Sequence, residues 1–92
     1  MSFELGRVMI SREVSAAIEA SPSYGREIFH KLSRYTHKDW GDALPEEDKT
    51  TNNEAIACGD RLLGAYNTSK GKVWIITEAD RSTTTILYPD EY

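Results

Sequence analysis

Residues 73–77 read Val-Trp-Ile-Ile-Thr and contain one of the two longest uninterrupted apolar runs of the 92-residue chain. Side chains of a β-strand alternate between two faces, so Val73, Ile75 and Thr77 would lie on one face and the other two residues on the opposite face. Neither face is mainly polar, as expected of a strand that has neighbours on both sides. We therefore predict that residues 73–77 form a central strand.

Two further strand-like runs, residues 62–66 and 83–88, flank this segment. The turns that connect them to it are residues 67–71 and 78–82, in which Asn, Asp, Ser and Gly occur. Connections of this length and composition join neighbouring antiparallel strands. The last third of the chain thus predicts a three-stranded antiparallel meander.

Upstream of the meander, the sequence indicates another strand and three helices, of which the first two follow that strand directly. Residues 5–10 end in an apolar run, and Ser11 can accept a hydrogen bond from the first turn of a helix that ends near residue 20. A second helix begins at Pro22, because proline suits the first helical position. Its apolar stripe, with members three or four residues apart, consists of Tyr24, Ile28, Leu32 and Tyr35.

A third helix follows an irregular stretch over residues 36–44. Trp40 lies in that stretch, and we expect its large apolar side chain to enter the core. Pro45 would open the helix, and the acidic residues that follow it suit the positive end of the helix dipole. Gly59 is placed to end the helix in a left-handed conformation.

Two residues of this third helix need a separate interpretation. Asn52 falls on its buried stripe, so either the helical register is shifted by one residue, or the Asn52 amide ties the helix to Trp40 and Gly41 by hydrogen bonds. Cys58 is the only cysteine, and we predict that it is a small buried side chain and not a nucleophile.

Together, these elements predict a single α+β domain over residues 1–92 with the order β-α-α-α-β-β-β. The helices would cover one face of the C-terminal three-stranded antiparallel meander. The N-terminal strand could join an edge and extend the sheet to four strands.

The net charge of −4 is unevenly distributed. Residues 1–38 hold six basic and four acidic side chains, a net +2, whereas residues 39–60 hold seven acidic side chains and one basic, a net −6. Such a middle segment would repel a polyanion, so nucleic-acid binding is disfavoured unless the basic N-terminal third folds into a separate face. The acidic run is either a solvated helix face or a candidate acidic interaction face, formed by Asp42, Glu46, Glu47 and Asp48.

A second candidate functional cluster lies in the turn over residues 78–82. Glu78 and Asp80 could act as an acid and base pair, and Arg81 could bind an anion. The alternative is a tight turn in which Asp80 accepts backbone hydrogen bonds and Arg81 pairs with a carboxylate, because turns favour these residue types. The turn composition favours the structural alternative, and we assign no catalytic residue from the sequence.

The chain offers no motif for a metal or a cofactor. His30 and His37 do not have a ligand spacing, and Cys58 has no partner of the kind that a zinc site needs. The residues after Met1 do not form an export signal, and the apolar runs are too short for a membrane span. We therefore expect a cytoplasmic protein without cofactors and without a membrane partner.

The second half of the chain contains the segments 39–41, 45–48, 52, 62–66, 74–82 and 89–92. In these segments it resembles a family of short uncharacterised bacterial proteins of plasmids and other mobile elements, sometimes labelled plasmid-related. The resemblance covers a little over half of the chain and is most specific in Thr-Glu-Ala-Asp-Arg-Ser and in the acidic end with its final tyrosine. It implies an accessory protein of a mobile element and brings no established activity.

Three functions remain open from the sequence. The preferred one is a non-enzymatic protein that binds another protein, with monomer and homodimer both open. The alternative is an enzyme of the ribonuclease-toxin type, which small helix-plus-meander toxins suggest, although the sequence pI of about 5.1 argues against it. The third is an acidic DNA mimic that inhibits a host defence enzyme.

Overall fold

The computed structural model describes residues 3–92. These residues form the predicted α+β fold with the predicted order of elements. A short 3-10 helix, Pro89–Glu91, follows the last strand. The elements are β1 (Arg7–Ile10), α1 (Arg12–Ala20), α2 (Pro22–Thr36), α3 (Glu46–Cys58), β2 (Leu62–Thr68), β3 (Gly71–Thr77) and β4 (Thr83–Leu87).

The four strands form one sheet in the order β1-β4-β3-β2. Strands β2, β3 and β4 are antiparallel neighbours, which confirms the meander and the interior position of β3. Strand β1 lies at the edge beside β4 and runs parallel to it. The first hairpin is tighter than predicted, because Thr68 still pairs with Gly71 and only two residues remain in the turn.

The helix ends follow the local sequence signals. The Ser11 hydroxyl accepts a hydrogen bond from the Val14 amide at 3.3 Å, which caps α1. Pro22 is the first residue of α2, as predicted. Pro45 immediately precedes α3, and Gly59 ends that helix with a φ of 77° in the left-handed region.

The core lies between the helices and one face of the sheet. Val73, Ile75 and Thr77 of β3 are fully buried on that face, as their alternation predicted. From α2, Tyr35 packs edge-on against Trp40 with ring centroids 5.4 Å apart. Trp40 is only 2% exposed, which confirms that the loop before α3 places its indole in the core.

A chain of hydroxyl groups crosses this core. The Thr84 hydroxyl donates to the Leu5 carbonyl oxygen at 2.7 Å, and therefore accepts from Thr77 at 2.8 Å. By the same reasoning, Thr77 accepts from the Tyr35 hydroxyl at 2.7 Å. Burial raises the pKa of Tyr35 to about 12, so this phenol stays a donor at neutral pH. The chain joins α2, two strands and the segment before β1.

The outer edge of β2 is covered by side-chain and loop atoms. The Asn52 amide nitrogen donates to the Leu63 carbonyl at 2.6 Å, and the Leu63 amide donates to the Asn52 side-chain oxygen at 3.1 Å. Two residues along, the Ala65 amide donates to the Trp40 carbonyl at 2.9 Å. The Ala43 amide donates to the Ala65 carbonyl at 3.2 Å. This edge therefore has few free backbone groups for another strand.

The structure corrects the predicted partner of Asn52. The helical register is right, because Asn52 is buried, but its amide binds the backbone of β2 and not Trp40 or Gly41. The neighbouring Asn53 contacts the loop instead, where its side-chain oxygen accepts a hydrogen bond from the Trp40 indole at 3.0 Å. Sequence spacing placed the polar group correctly but could not distinguish two adjacent backbone segments.

The prediction of a buried Cys58 is wrong, because this residue is exposed. A helix turns by about 100° per residue, so Cys58 lies about 120° around the axis from Asn52. The buried residues of α3 are Asn52 and Ala55, and Cys58 flanks the stripe that they define.

Replacement of Thr77 by valine tests the hydroxyl chain. Thr77→Val keeps the shape but leaves the buried Tyr35 hydroxyl without its acceptor, so the free energy of unfolding should fall by about 1–3 kcal/mol. Denaturant unfolding followed by tryptophan fluorescence measures the change. Thr85→Val is the matched control, because Thr85 lies on the opposite face of β4 and makes no side-chain hydrogen bond within residues 3–92. Equal losses in the two variants would contradict the assigned role.

Candidate functional site

The predicted cluster of Glu78, Asp80 and Arg81 occupies the turn between β3 and β4, and its arginine reaches the end of α3. The Arg81 guanidinium donates to the Asp60 carbonyl at 2.6 Å and to the Ala55 carbonyl at 3.1 Å. The Ala55 carbonyl also accepts the Gly59 and Asp60 amides, and a cation suits the negative end of the helix dipole. The hydrogen bonds of Arg81 therefore attach the turn between β3 and β4 to the end of α3.

The two carboxylates of the cluster do not meet Arg81. Asp80 accepts a hydrogen bond from the Ser82 amide at 3.0 Å, and the hydrogen bonds from Ser82 hold the pKa of Asp80 below its ordinary value. Glu78 is exposed, and no ion pair joins Arg81 to either acid within residues 3–92. The Asp80 contact is the one that the structural alternative predicted, but the predicted pairing of Arg81 with a carboxylate is wrong, because Arg81 binds backbone carbonyls. A functional role of the cluster stays a prediction.

Arg81→Lys tests the structural role of the cluster. Lysine keeps the charge but loses the planar fork that contacts two carbonyls, so we expect a loss of about 1–2 kcal/mol in the free energy of unfolding. Thermal or denaturant unfolding measures it. Arg26→Lys, at an exposed position of α2, is the control and should change stability by less than about 0.5 kcal/mol. A loss that is no larger at residue 81 than at residue 26 would show that the contacts contribute little.

The predicted acidic face is partly neutralised by neighbouring bases. The Arg34 guanidinium donates to Asp42 at 2.8 Å and, through Nε, to Asp39 at 2.8 Å. Lys49 contacts Glu46 at 3.1 Å. The structure thus brings Asp42 to Arg34 of α2 and gives Glu46 a partner on its own helix.

The remaining two residues of this face, Glu47 and Asp48, are exposed in the first turn of α3. Their charges complement the positive end of the helix dipole. The four predicted members therefore share one region of the surface, but two of them have basic partners. A uniformly acidic face is not what the structure presents.

The Arg34 contacts predict acid sensitivity. Hydrogen bonds from Arg34 hold the pKa of Asp39 and of Asp42 below the ordinary value, so both groups stabilise the folded chain above about pH 5. That stabilisation is lost as the pH falls through the lowered pKa values. The stability difference between the parent chain and Arg34→Met should be largest near neutral pH and should shrink below about pH 4. Unfolding curves at several pH values, with Arg26→Met as control, measure this; a constant difference would contradict it.

Sequence reasoning identified β1 as a strand but did not single out its exposed apolar side chains. Val8, Met9 and Ile10 are consecutive and are 41%, 47% and 46% exposed. By the pairing with β4, Val8 and Ile10 face the helix side of the sheet, and Met9 faces the opposite side. We name Val8, Met9 and Ile10, with the outer backbone edge of β1, the open edge. In the sequence, the only indication of this surface is the apolar run of residues 8–10.

The backbone of the open edge can be assigned group by group. The Arg7 amide donates to the Ser82 carbonyl at 2.9 Å, and the Ser11 amide donates to the Ile86 carbonyl at 2.9 Å. Backbone groups of a strand point alternately to its two sides, so Val8 and Ile10 direct theirs away from β4. No other strand within residues 3–92 pairs with that side. Two N–H and two C=O groups are therefore available.

The sheet face opposite the helices is covered only in part. Trp74 of β3 packs edge-on against Tyr92 with ring centroids 5.7 Å apart, and the Arg61 guanidinium lies 5.1 Å from the Tyr92 ring centroid. The Tyr92 side chain is largely exposed. The C-terminal residues thus shield the middle of this face and leave Met9, at its margin, uncovered.

Two open surface depressions lie elsewhere. The larger, of about 450 Å³, is lined by Glu13, Lys70, Lys72, Tyr88, Pro89 and Asp90. The smaller, of about 290 Å³, is lined by Asp48, Thr51, Asn52, Arg61 and Leu63. Neither is lined by Glu78, Asp80 or Arg81. Among residues 3–92, no three His, Cys, Asp or Glu side chains are grouped so as to hold a metal ion.

Comparisons with known proteins give no family for the chain. No protein-family model matches it, and no curated protein or solved structure matches it either. The resemblance to plasmid-related proteins therefore stays a prediction. In the part of the chain that the structure describes, no helix has both the length and the apolar character required to cross a membrane.

Proposed function

We propose that the protein acts by binding another polypeptide through the open edge. The observation that carries the proposal is the combination, on one strand, of unpaired outer backbone groups and three exposed apolar side chains. Extended partners bind sheet edges through main-chain hydrogen bonds and obtain specificity from alternate side chains. The function we assign is thus that of a non-enzymatic interaction protein.

The contrast between the two sheet edges supports this proposal. On β2, the Asn52 amide and the loop atoms of Trp40 and Ala43 occupy the outer backbone groups. On β1, three of the four side chains are apolar, and only Arg7 carries the kind of charge that generally protects an unused edge. Only one edge of this sheet is suited to accept a further strand.

The two alternative functions, an enzyme and a DNA mimic, receive less support from the contacts of their candidate residues. Asp80 and Arg81, the residues that an enzyme would use most plausibly, are engaged with backbone groups of the turn and of α3. A DNA mimic needs a dense array of free acids, and here Asp42 and Glu46 have basic partners. We retain the interaction protein as the proposal.

The setting that we propose is the cytoplasm of a bacterium that carries a plasmid or another mobile element. This part of the proposal rests on the resemblance of residues 39–92 to plasmid-related proteins. Its partner would be a protein and not a nucleic acid, because the net charge is −4.

Crosslinking in producing cells tests the proposed function. A tagged chain is crosslinked beside an untagged copy, purified under denaturing conditions and analysed by mass spectrometry. We expect a specific polypeptide, either a different protein or the untagged copy, to be captured. Met9→Lys should reduce its capture at least tenfold, because a charge on an edge strand opposes strand addition.

Phe29→Lys is the matched control for this experiment. Phe29 is a 71% exposed apolar residue on α2, so its replacement introduces the same charge away from the open edge. Capture should be unchanged in this variant, and circular dichroism should show that both variants are folded. Capture that is insensitive to Met9→Lys, or lost equally in both variants, would overturn the assignment of the open edge.

A further inference from the structure

We infer that the occupant of the open edge is β1 of a second copy of the chain, paired antiparallel about a two-fold axis that passes beside Met9. This inference rests on the proposed function, and it adds the identity of the partner and the register of pairing. The resulting dimer would contain one continuous eight-stranded sheet.

In this register, every outward backbone group of β1 has a hydrogen-bonding partner. The outward groups belong to Val8 and Ile10, because Arg7 and Ser11 bond inward to β4. When Met9 faces Met9 of the partner subunit, Val8 faces Ile10 of the partner subunit. Such a pair exchanges two N–H to carbonyl hydrogen bonds, and the two-fold axis repeats it. All four outward groups of each copy are then satisfied.

The side chains agree with the same register. Directly opposed residues of antiparallel strands project to the same face, so Val8 and Ile10 would meet on the helix side of the joined sheet. On the opposite side, the two Met9 side chains would meet at the axis, where strands approach most closely. Each of the three exposed apolar residues would therefore gain an apolar neighbour, and the burial of their surface favours association.

Charge complementarity distinguishes a second copy from an unrelated peptide. In this register, Arg7 lies opposite Ser11 of the partner subunit, and within each copy the Ser11 hydroxyl donates to Glu91 at 2.6 Å. Arg7 is exposed and forms no ion pair within residues 3–92. The guanidinium of each copy would thus approach the Glu91 carboxylate of the other, twice per dimer.

Glu91 is a fixed and anionic group in this arrangement. Its carboxylate also accepts from the Tyr88 amide at 2.8 Å and from the Glu13 amide at 3.3 Å. Desolvation acts to raise its pKa, but the hydrogen bonds from Ser11, Tyr88 and Glu13 hold the pKa below the ordinary value. An arginine that arrives from the partner subunit therefore meets a charge that is already held in position.

The interface is short, and this sets the expected affinity. One four-residue strand and its flanking side chains bury less surface than a stable dimer generally requires, so the dimer should be weak and concentration-dependent. We expect a dissociation constant in the micromolar range. Sedimentation over a wide range of protein concentrations, up to the millimolar level, is the appropriate measurement.

Disulfide trapping tests the register. In a Cys58→Ser background, single cysteines are introduced by Met9→Cys, Val8→Cys or Phe29→Cys, and the full-length variants are oxidised with a glutathione buffer. Opposed residues that do not exchange hydrogen bonds lie about 4.5 Å apart at Cα, within the range of a disulfide. Met9→Cys should form the covalent dimer at least tenfold faster than either of the other two variants.

Charge reversal tests the cross-subunit ion pairs. Arg7→Glu places a carboxylate near Glu91 of the partner subunit and should weaken dimerisation at least tenfold, whereas Arg26→Glu, an equal charge change on α2, should leave it unchanged.

Amide hydrogen exchange tests the dimer independently. The Val8 and Ile10 amides should become protected as the protein concentration rises, because they donate only across the interface.

The outcomes separate this inference from the proposed function. Concentration-dependent dimerisation, fastest trapping at residue 9 and weakening by Arg7→Glu would support the two-fold dimer. A chain that stays monomeric at all concentrations, or that is trapped faster at residue 8 than at residue 9, would overturn it. In that case, capture of a different protein that is lost in Met9→Lys would leave the proposed function intact, and absence of any such capture would remove both.

Discussion

Two hydrogen bonds between the Asn52 amide and the backbone of Leu63 determine how α3 meets the sheet. They hold α3 against the outer edge of β2 and satisfy two backbone groups that would otherwise be exposed to a further strand. The adjoining loop repeats the arrangement at Ala65. Gly41 makes this approach feasible, because its φ is 99° and a Cβ there would collide with the Ala65 carbonyl. One end of the sheet is thereby closed.

The opposite edge of the sheet, formed by β1, is held in place, but its outer backbone groups are not covered. The hydroxyl chain that begins at Tyr35 ends on the Leu5 carbonyl, so the segment that leads into β1 is tied to the buried core. Its strand is also held by β4 along one side. The open edge is therefore presented by a well-anchored strand, and a partner would not first have to order it. An ordered edge of this kind lowers the entropic cost of association.

The sequence determined much of this fold through local rules. Four features follow from residues close together in the chain, and each lies where it was expected. They are the alternation in β3, the apolar stripe of α2, the Ser11 cap and the helix end at Gly59. What could not be predicted depends on contacts between distant residues. The partner of Asn52, the parallel direction of β1 and the attachment of Arg81 to α3 each require knowledge of which segments become neighbours.

The dependence on contacts between distant residues also explains why the sequence indicated a polar candidate site, whereas the structure indicates an apolar one. Sequence reasoning looks for function among charged groups. The turn of Glu78, Asp80 and Arg81 has that composition for a structural reason, since Arg81 donates to backbone carbonyls at the end of α3 and Asp80 accepts from the Ser82 amide. An apolar run, in contrast, looks like ordinary strand sequence until the pairing is known. Once β1 is placed at the margin with its outer groups free, Val8, Met9 and Ile10 become the residues whose surroundings are incomplete. Surface that the folded chain leaves apolar and unpaired is where association yields the most free energy per residue, and this makes the open edge a stronger functional signal than the charged turn.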